Sequence, residues 1–182
     1  MIKLRSMVDR ADKKGGESTS KNDPRITPVG KLIRKYKLDE FTQLWNVLSG
    51  DMSLVGPRPN TKLGVSVYTS EESRLLGVRP GITDFSSIVF SDEGEILAES
   101  IDPDTDYDQL IRPWKSRLGL IYIKHRTFYL DLKLIFYTLV AIFSKEKALT
   151  WLVDYLKKLN VDREVIDISS RKVALYPASP PE

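Results

Sequence analysis

Two adjacent carboxylates, Asp39 and Glu40, follow a cluster of cations and precede an arginine held between prolines. The cations are Lys31, Arg34, Lys35 and Lys37, and the arginine is Arg58 in Pro57-Arg58-Pro59. The prolines restrict the backbone around Arg58, and arginine can bind a phosphate through two parallel hydrogen bonds. Acid pairs beside cations are typical of sites that bind and attack a negatively charged substrate. The pattern therefore indicates chemistry on a phosphorylated compound.

Apolar residues at helical spacing predict a helix from about Asp39 to Leu48. Asp39 would then lie at the N-cap or in the first turn, where the helix dipole favours an ionised carboxylate and can also hold a phosphate. The alternative for Asp39 is ordinary helix capping. For Arg58, and for Arg79 in Val78-Arg79-Pro80-Gly81, the alternative is a solvated or ion-paired surface turn.

Four ordered blocks of sequence carry a resemblance to a known family. The blocks are Lys3-Leu4-Arg5-Ser6-Met7, Asn22-Asp23-Pro24-Arg25-Ile26-Thr27 with Gly30, Leu38 through Pro59, and Arg79-Pro80-Gly81-Ile82-Thr83. In this order they resemble the motifs of the bacterial polyprenyl-phosphate phosphoglycosyl transferases, also called sugar transferases. The resemblance implies transfer of a sugar-1-phosphate from a nucleotide sugar, expected to be a UDP sugar, to undecaprenyl phosphate. That step would initiate bacterial polysaccharide or glycoconjugate synthesis at the cytoplasmic face of the inner membrane.

The resemblance also implies a role for each matching residue. Asp39 would be the nucleophile, forming a covalent aspartyl sugar-phosphate, and Glu40 would assist by positioning groups or relaying a proton. A divalent cation, expected to be Mg²⁺, would bind Asp39 and the diphosphate. The residues implied in substrate binding are Arg34, Arg58, Arg79, Lys3 and Arg5.

Two departures from the family pattern leave alternatives open. Family members carry a hydrophobic helix ahead of the first block, whereas this sequence starts two residues before Lys3. A longer native chain and a natural truncation are both compatible with that start, and an anchor-less, non-catalytic regulatory or assembly partner is the alternative function. Where relatives often have a tryptophan-containing segment, this chain has Asp84-Phe85-Ser86-Ser87-Ile88, so substrate selectivity cannot be transferred from the family.

Charge is distributed unevenly along the chain, although the net charge is only +3. Residues 91–110 contain eight acids and no lysine or arginine, and residues 111–147 contain eight cations and two acids. The acidic segment is expected to be a solvated surface or to contact the basic N-terminal half. No nucleic-acid-binding motif is present, and the absence of cysteine excludes disulfides and thiol chemistry.

The expected fold class is α+β: a mostly helical single domain over 1–159 with a few short strands. Helices are predicted over 27–36, 39–48, 113–125, 130–143 and 145–159, and strands over 2–7, 52–55 and 86–90. The helices of 113–159 would lie flat on a membrane surface, or pack against the core or another subunit, as in a homodimer. The extension over 160–182 is predicted to be poorly ordered.

Overall fold

The computed structural model describes residues 4–11, 18–20, 23–35 and 38–182, and only the backbone of Lys35, Asp39 and Glu40. These ranges form two strands, β1 (Ser53–Val55) and β2 (Gly81–Thr83), and eleven α-helices. The helices are α1 (Pro28–Lys35), α2 (Leu38–Phe41), α3 (Gln43–Leu48), α4 (Lys62–Ser66), α5 (Phe85–Val89), α6 (Glu93–Ile96), α7 (Pro103–Asp106), α8 (Arg112–His125), α9 (Phe128–Phe143), α10 (Lys145–Lys158) and α11 (Arg163–Ser170). A 3-10 helix (Glu72–Gly77) precedes β2, and a π-helical turn (Tyr107–Ile111) leads into α8. The α+β class is confirmed.

The two strands pair in parallel, with Ser53 opposite Gly81 and Val55 opposite Thr83. Their backbones meet so closely that a Cβ atom on Gly81 would lie 2.1 Å from the backbone nitrogen of Gly56. Gly81 donates its N–H to the carbonyl of Pro57 at 2.9 Å. This pairing therefore brings the loop that carries Arg58 next to the segment that leads into α5.

The core forms where α5, α8, α9 and α10 meet the strands. Phe85, Leu118, Leu130 and Leu152 are fully buried there. The hydroxyl of Tyr122 on α8 donates to Asp131 of α9 at 2.8 Å and lies 3.3 Å from the carbonyl oxygen of Val55. One side chain therefore joins two helices to β1, which fixes the strands relative to the helical layer.

Two predicted elements are corrected by the structure. Residues 86–90, predicted as a strand, lie mostly within α5, because Asp84 caps that helix by accepting the backbone N–H of Ser87 at 2.7 Å. Local capping outweighs the β-propensity of Ile88 and Val89. The single helix predicted over 39–48 is two short helices, α2 and α3, separated at Thr42.

The strand predicted over 2–7 is present only as an isolated antiparallel bridge between Met7 and Ile26. Ile2 and Lys3 lie outside the described residues. The extended segment predicted over 52–55 is confirmed as β1.

Helix α3 has its polar side chains inside and its apolar side chains outside. Gln43 and Asn46 are 1% and 4% exposed, whereas Trp45 and Leu48 are 66% and 80% exposed. Helix α9 buries Leu130 and Leu134 on one side and exposes apolar side chains on the other. Its exposed apolar residues are Phe128, Tyr129, Leu132, Phe136, Leu139, Ile142 and Phe143.

Of the alternatives for the helices of 113–159, packing against the core is the one that the structure shows. Helices α8 and α10 direct their apolar stripes into the core, through residues such as Trp114, Leu118, Leu152 and Leu156. Helix α9 packs one face against the core and leaves the other exposed. In the ranges described, no helix has the combination of length and hydrophobicity that is needed to cross a membrane.

The segment after Asn160, predicted to be poorly ordered, forms α11 and a tail that packs on the domain. Val165 and Ile168 of α11 are buried. The ring of Tyr176 meets Trp114 edge-on at 5.4 Å between centroids, and the N–H of Ala178 donates to the carbonyl of Gln109 at 3.1 Å. At the end of the chain, the hydroxyl of Thr69 donates to the carbonyl of Pro181.

Substituting Gly81 by alanine should destabilise the fold by at least about 2 kcal/mol, because backbone atoms of Gly56 would have to move to accept a methyl group. Urea denaturation followed by circular dichroism measures this change. Gly77→Ala is the matched control, since a Cβ atom there meets no described atom within 4 Å; its free energy of unfolding should stay within about 0.5 kcal/mol of the wild type. Equal losses in the two variants would contradict the close approach.

Candidate active site

A large cleft opens between α1, the loop after β1, the start of α5 and the first turn of α8. Its volume is about 1370 Å³. Cations reach it from α1, the loop after β1 and α8, whereas most of its carboxylates come from the acidic segment. The cations are Lys31, Arg34, Arg58, Arg112 and Lys115, and the carboxylates of the acidic segment are Asp92, Glu93, Glu95, Asp104 and Asp108. The cleft therefore contains charges of both signs.

The structure brings together two of the arginines that the sequence predicted to bind substrate. Arg34 and Arg58 both line the cleft. Arg79 is exposed and is not among the described residues that line it, and Arg5 is 75% exposed and pairs with Asp9. Lys3 lies outside the described residues.

Asp39 and Glu40 lie in the backbone of α2, which contacts α1, the helix that carries Arg34. Their side chains lie outside the described residues, so the roles predicted for them stay predictions. In the part of the chain that the structure describes, no cluster of three metal-binding side chains occurs. Carboxylate oxygens are the donors that Mg²⁺ prefers, so the chemistry of Asp39 and Glu40 fits that ion.

Arg34 is held against the N-terminal segment of the chain. Its Nε donates to the hydroxyl of Ser6 at 3.0 Å. The close approach of α1 to this segment depends on Gly30, where a Cβ atom would lie 1.8 Å from the carbonyl oxygen of Ser6. The first sequence block therefore positions a cation at the cleft.

Asp84 is a buried carboxylate on the floor of the cleft. Ser86 and Ser87 donate their hydroxyls to it at 2.7–2.9 Å, in addition to the capping N–H of Ser87. Burial raises the pKa of Asp84, while these hydrogen bonds and the charge of Arg58 act in the opposite direction. Asp84 is thus a buried carboxyl group held close to Arg58.

Lys115 of α8 also reaches the cleft, where it pairs with Glu93 and lies 5.1 Å from the centroid of the Tyr107 ring. Burial alone would lower the pKa of Lys115, but the interactions with Tyr107 and Glu93 outweigh burial and raise it. The lysine is therefore charged at neutral pH. The charge of Arg58 acts on it as well.

A buried glutamate joins the 3-10 helix to α8 beside the cleft. Glu72 accepts the hydroxyl of Ser116 at 2.6 Å and the backbone N–H of Thr69 at 3.0 Å, and it pairs with Arg112 at 3.3 Å. A carboxylate that is fully buried needs such partners to stay ionised. This network fixes the α8 side of the cleft.

The acidic segment contacts the N-terminal half of the chain, which was one of the two alternatives from the sequence. The backbone N–H of Ser18 donates to Asp104 at 2.6 Å. Arg25 holds the same region by donating to the carbonyl oxygen of Ser18 at 3.2 Å while pairing with Asp23 at 2.7 Å. The segment 91–110 is thus a wall of the cleft as well as a surface.

Sequence reasoning missed Asp84, Glu93, Tyr107, Arg112 and Lys115 as cleft residues. One local signal was available: Asp84 followed by Ser86 and Ser87 is a helix-capping pattern. Tyr107, Arg112 and Lys115 are close in the sequence, on the π-helical turn and α8, but Glu93 of α6 reaches them only through its ion pair with Lys115.

The chain is similar to known proteins over most of its length. The family model for "Bacterial sugar transferase" matches residues 1–145. An undecaprenyl-phosphate glucose phosphotransferase from Komagataeibacter xylinus is 38% identical over 146 residues, which are 76% of this chain and 25% of that protein. The uncharacterized sugar transferase EpsL of Bacillus subtilis is 35% identical over 146 residues, covering 80% of this chain and 63% of EpsL.

A third relative is the UDP-glucose:undecaprenyl-phosphate glucose-1-phosphate transferase of Caulobacter vibrioides, 35% identical over 123 residues, which are 64% of this chain and 46% of that protein. The chain thus spans less than two thirds of the length of each of these three relatives. The family match ends at residue 145, so nearly all of α10, and all of α11 and the tail, lie beyond it.

The burial of Asp84 predicts an unusual pH dependence of stability. Because its pKa is raised above 3.8 in the folded chain, the folded state holds the proton more tightly. That contribution is lost as the pH rises from 3.8 through the folded pKa. Asparagine keeps an acceptor for Ser87 but does not titrate, so Asp84→Asn should gain stability relative to the wild type as the pH rises above about 4.

Asp102→Asn is the matched control, because Asp102 also caps a helix and Thr105 lowers its pKa by hydrogen bonding. Its contribution is present above the ordinary pKa of 3.8 and is lost as the pH falls. Asp102→Asn should therefore be less stable than the wild type by a constant amount as the pH rises above about 4, and the difference should shrink only below pH 3.8. Thermal denaturation across pH measures both variants, and a gain in relative stability by both variants above about pH 4 would contradict the assignment.

Proposed function

Since the chain belongs to the bacterial sugar transferase family, we propose that it transfers a sugar-1-phosphate from a nucleotide sugar, expected to be a UDP sugar, to undecaprenyl phosphate. The observation that carries the proposal is the cleft in which Arg34 and Arg58 lie together beside the helix that bears Asp39. Two fixed arginines suit a diphosphate, because each can make charge-assisted hydrogen bonds to phosphate oxygens. The names of the relatives from Komagataeibacter xylinus and Caulobacter vibrioides describe transfers to undecaprenyl phosphate.

The proposed reaction has two displacements at one phosphorus atom. A carboxylate oxygen of Asp39 attacks the phosphorus that carries the sugar, and the bond from this phosphorus to the nucleoside monophosphate breaks. The nucleoside monophosphate leaves with the electron pair. An oxygen of undecaprenyl phosphate then attacks the same phosphorus, the bond to Asp39 breaks, and undecaprenyl diphosphate-sugar is released.

Each proposed site residue has a task in this scheme. Arg34 and Arg58 hold the phosphate oxygens and offset the charge that develops during each displacement. Glu40 takes up the proton of the incoming phosphate or positions it. Asp39 is also the residue that would hold Mg²⁺, which when bound supplies further positive charge to the diphosphate.

The second part of the proposal concerns how a lipid-linked acceptor reaches the cleft. Helix α1 carries cleft residues Lys31 and Arg34, and it also exposes Val29 and Leu32 by 67% and 55%. A helix that borders the cleft is therefore apolar on its outer side. An acceptor with a phosphate head and a hydrocarbon chain needs this combination.

Exposed apolar side chains also lie on α3 and α9, which both contact β1, where Leu54 is itself 44% exposed. We define the docking face as the exposed apolar residues of α1, α3, β1 and α9. Exposed cations, among them Lys31 and Arg126, lie on or next to its elements, and basic residues strengthen binding to anionic lipids. The proposed occupant of the docking face is an anionic membrane surface, on which the domain lies without crossing it.

Asp39→Asn should abolish transfer, with a loss of at least about a thousandfold, because the amide cannot form the covalent intermediate. The wild type, incubated with a UDP sugar and Mg²⁺, should gain the mass of one sugar phosphate on the peptide that contains Asp39. Mass spectrometry and release of the nucleoside monophosphate measure the two effects. Asp154→Asn, at an exposed position on α10, should behave as the wild type, and near-normal turnover by Asp39→Asn would refute the nucleophile.

Ile142→Glu should weaken binding to vesicles that contain phosphatidylglycerol by at least about tenfold, since burial of one isoleucine contributes about 1.5–3 kcal/mol. Ile142 is 66% exposed on the docking face. Ile101→Glu is the matched control, because Ile101 is 103% exposed but lies in the acidic segment, which is not part of the docking face. Co-sedimentation with vesicles measures binding.

Sedimentation velocity without lipid tests whether the docking face binds a second copy of the chain instead of a membrane. If the wild type forms a dimer that Ile142→Glu dissociates, and vesicle binding is unchanged, the docking face is a subunit interface. That result would overturn the membrane proposal.

A further inference from the structure

We propose that Lys115 is a further cationic contact, beside Arg34 and Arg58, for the diphosphate of the nucleotide sugar, and that Glu93 competes with that diphosphate for the Lys115 ammonium group. This inference rests on the proposed transfer reaction, because it places the donor in the cleft. The residues come from different elements: Lys115 from α8, Glu93 from α6 and Arg58 from the loop after β1.

The protein uses only part of the hydrogen-bonding capacity of the Lys115 ammonium group. It carries three N–H donors. The described structure gives it one hydrogen-bonded partner, Glu93, and the face of the Tyr107 ring at 5.1 Å from the centroid. The side chain is 20% exposed, and the residue lines the cleft. Donor capacity therefore remains on the side where a ligand would lie.

The position of Lys115 relative to Arg58 suits one anion shared by both. Arg58 exerts a repulsive charge effect on Lys115, so the two cations lie near each other in the same cleft. Two neighbouring like charges are unfavourable unless an anion lies within reach of both. Glu93, which pairs with Lys115, offsets this repulsion in the free protein.

Glu93 has the properties of a partner that a ligand can replace. It lies in α6, a helix of four residues, and its side chain is 33% exposed, so water can solvate the carboxylate after the ion pair opens. Asp84 differs, because it is buried and accepts hydrogen bonds from two serines. A diphosphate carries more negative charge than one carboxylate and would take Lys115 from Glu93, while Asp84 stays in place.

The alternative is that the Lys115–Glu93 pair only links α6 to α8. The two ideas differ in the effect that they predict for Glu93→Gln on anion binding. If the pair is only structural, removing either partner leaves anion binding unchanged or weakens it in both cases. If Glu93 competes with the ligand, Lys115→Met weakens anion binding and Glu93→Gln strengthens it.

The experiment measures binding of inorganic pyrophosphate to the full chain by isothermal titration calorimetry at low salt, with EDTA to remove divalent cations. Lys115→Met should weaken binding by about tenfold, as expected for the loss of a charged hydrogen bond, and Glu93→Gln should strengthen it by about threefold. Lys124→Met, at an exposed lysine on the same helix, should bind within about twofold of the wild type. Lys115→Arg keeps the charge and should bind within about threefold.

Weaker or unchanged binding by Glu93→Gln would overturn the proposal, whether or not Lys115→Met folds. Pyrophosphate binding does not require turnover, so it tests Lys115 separately from the transfer reaction. If the opposite effects of the two variants are observed but the wild type releases no nucleoside monophosphate from any UDP sugar, the transfer reaction alone is contradicted.

Discussion

The close contact between the backbones of Gly56 and Gly81 is the constraint on which the cleft depends. Because neither residue has a side chain, the turn after β1 can lie directly against the start of β2. Arg58 is two residues beyond Gly56, and Asp84 is three residues beyond Gly81. The contact thus places a cation and a buried carboxylate in one cavity, and Tyr122 then fixes the strand to the helical layer through the carbonyl of Val55.

The reversed polarity of α3 has a structural role as well as a surface consequence. The carbonyl of Asn46 accepts the N–H groups of Asp51 and Met52 at 2.9 and 3.0 Å, which directs the chain into β1. The polar side of α3 faces the protein, and its apolar side faces outward. The helix that leads into β1 therefore also leaves an apolar surface beside that strand.

The sequence predicted the family and the long helices better than the short elements. The family and the helices α8 to α10 were predicted, because they follow from motifs and from helical periodicity, and two of the arginines predicted to bind substrate, Arg34 and Arg58, line the cleft. The strand predicted over 86–90 was wrong, since one capping carboxylate, Asp84, decided the local conformation. The cleft roles of Lys115 and Glu93 could not be predicted, because residues 22 positions apart meet only through the packing of α6 against α8.

The C-terminal tail lies close to the cleft. Tyr176 packs on Trp114, and Pro181 accepts the hydroxyl of Thr69, whose neighbour Tyr68 lines the cleft. A bulky group attached to the last residues of this tail would therefore lie near the cleft. Labels for microscopy or affinity capture are better inserted elsewhere, for example in the exposed turn at Asn160 between α10 and α11.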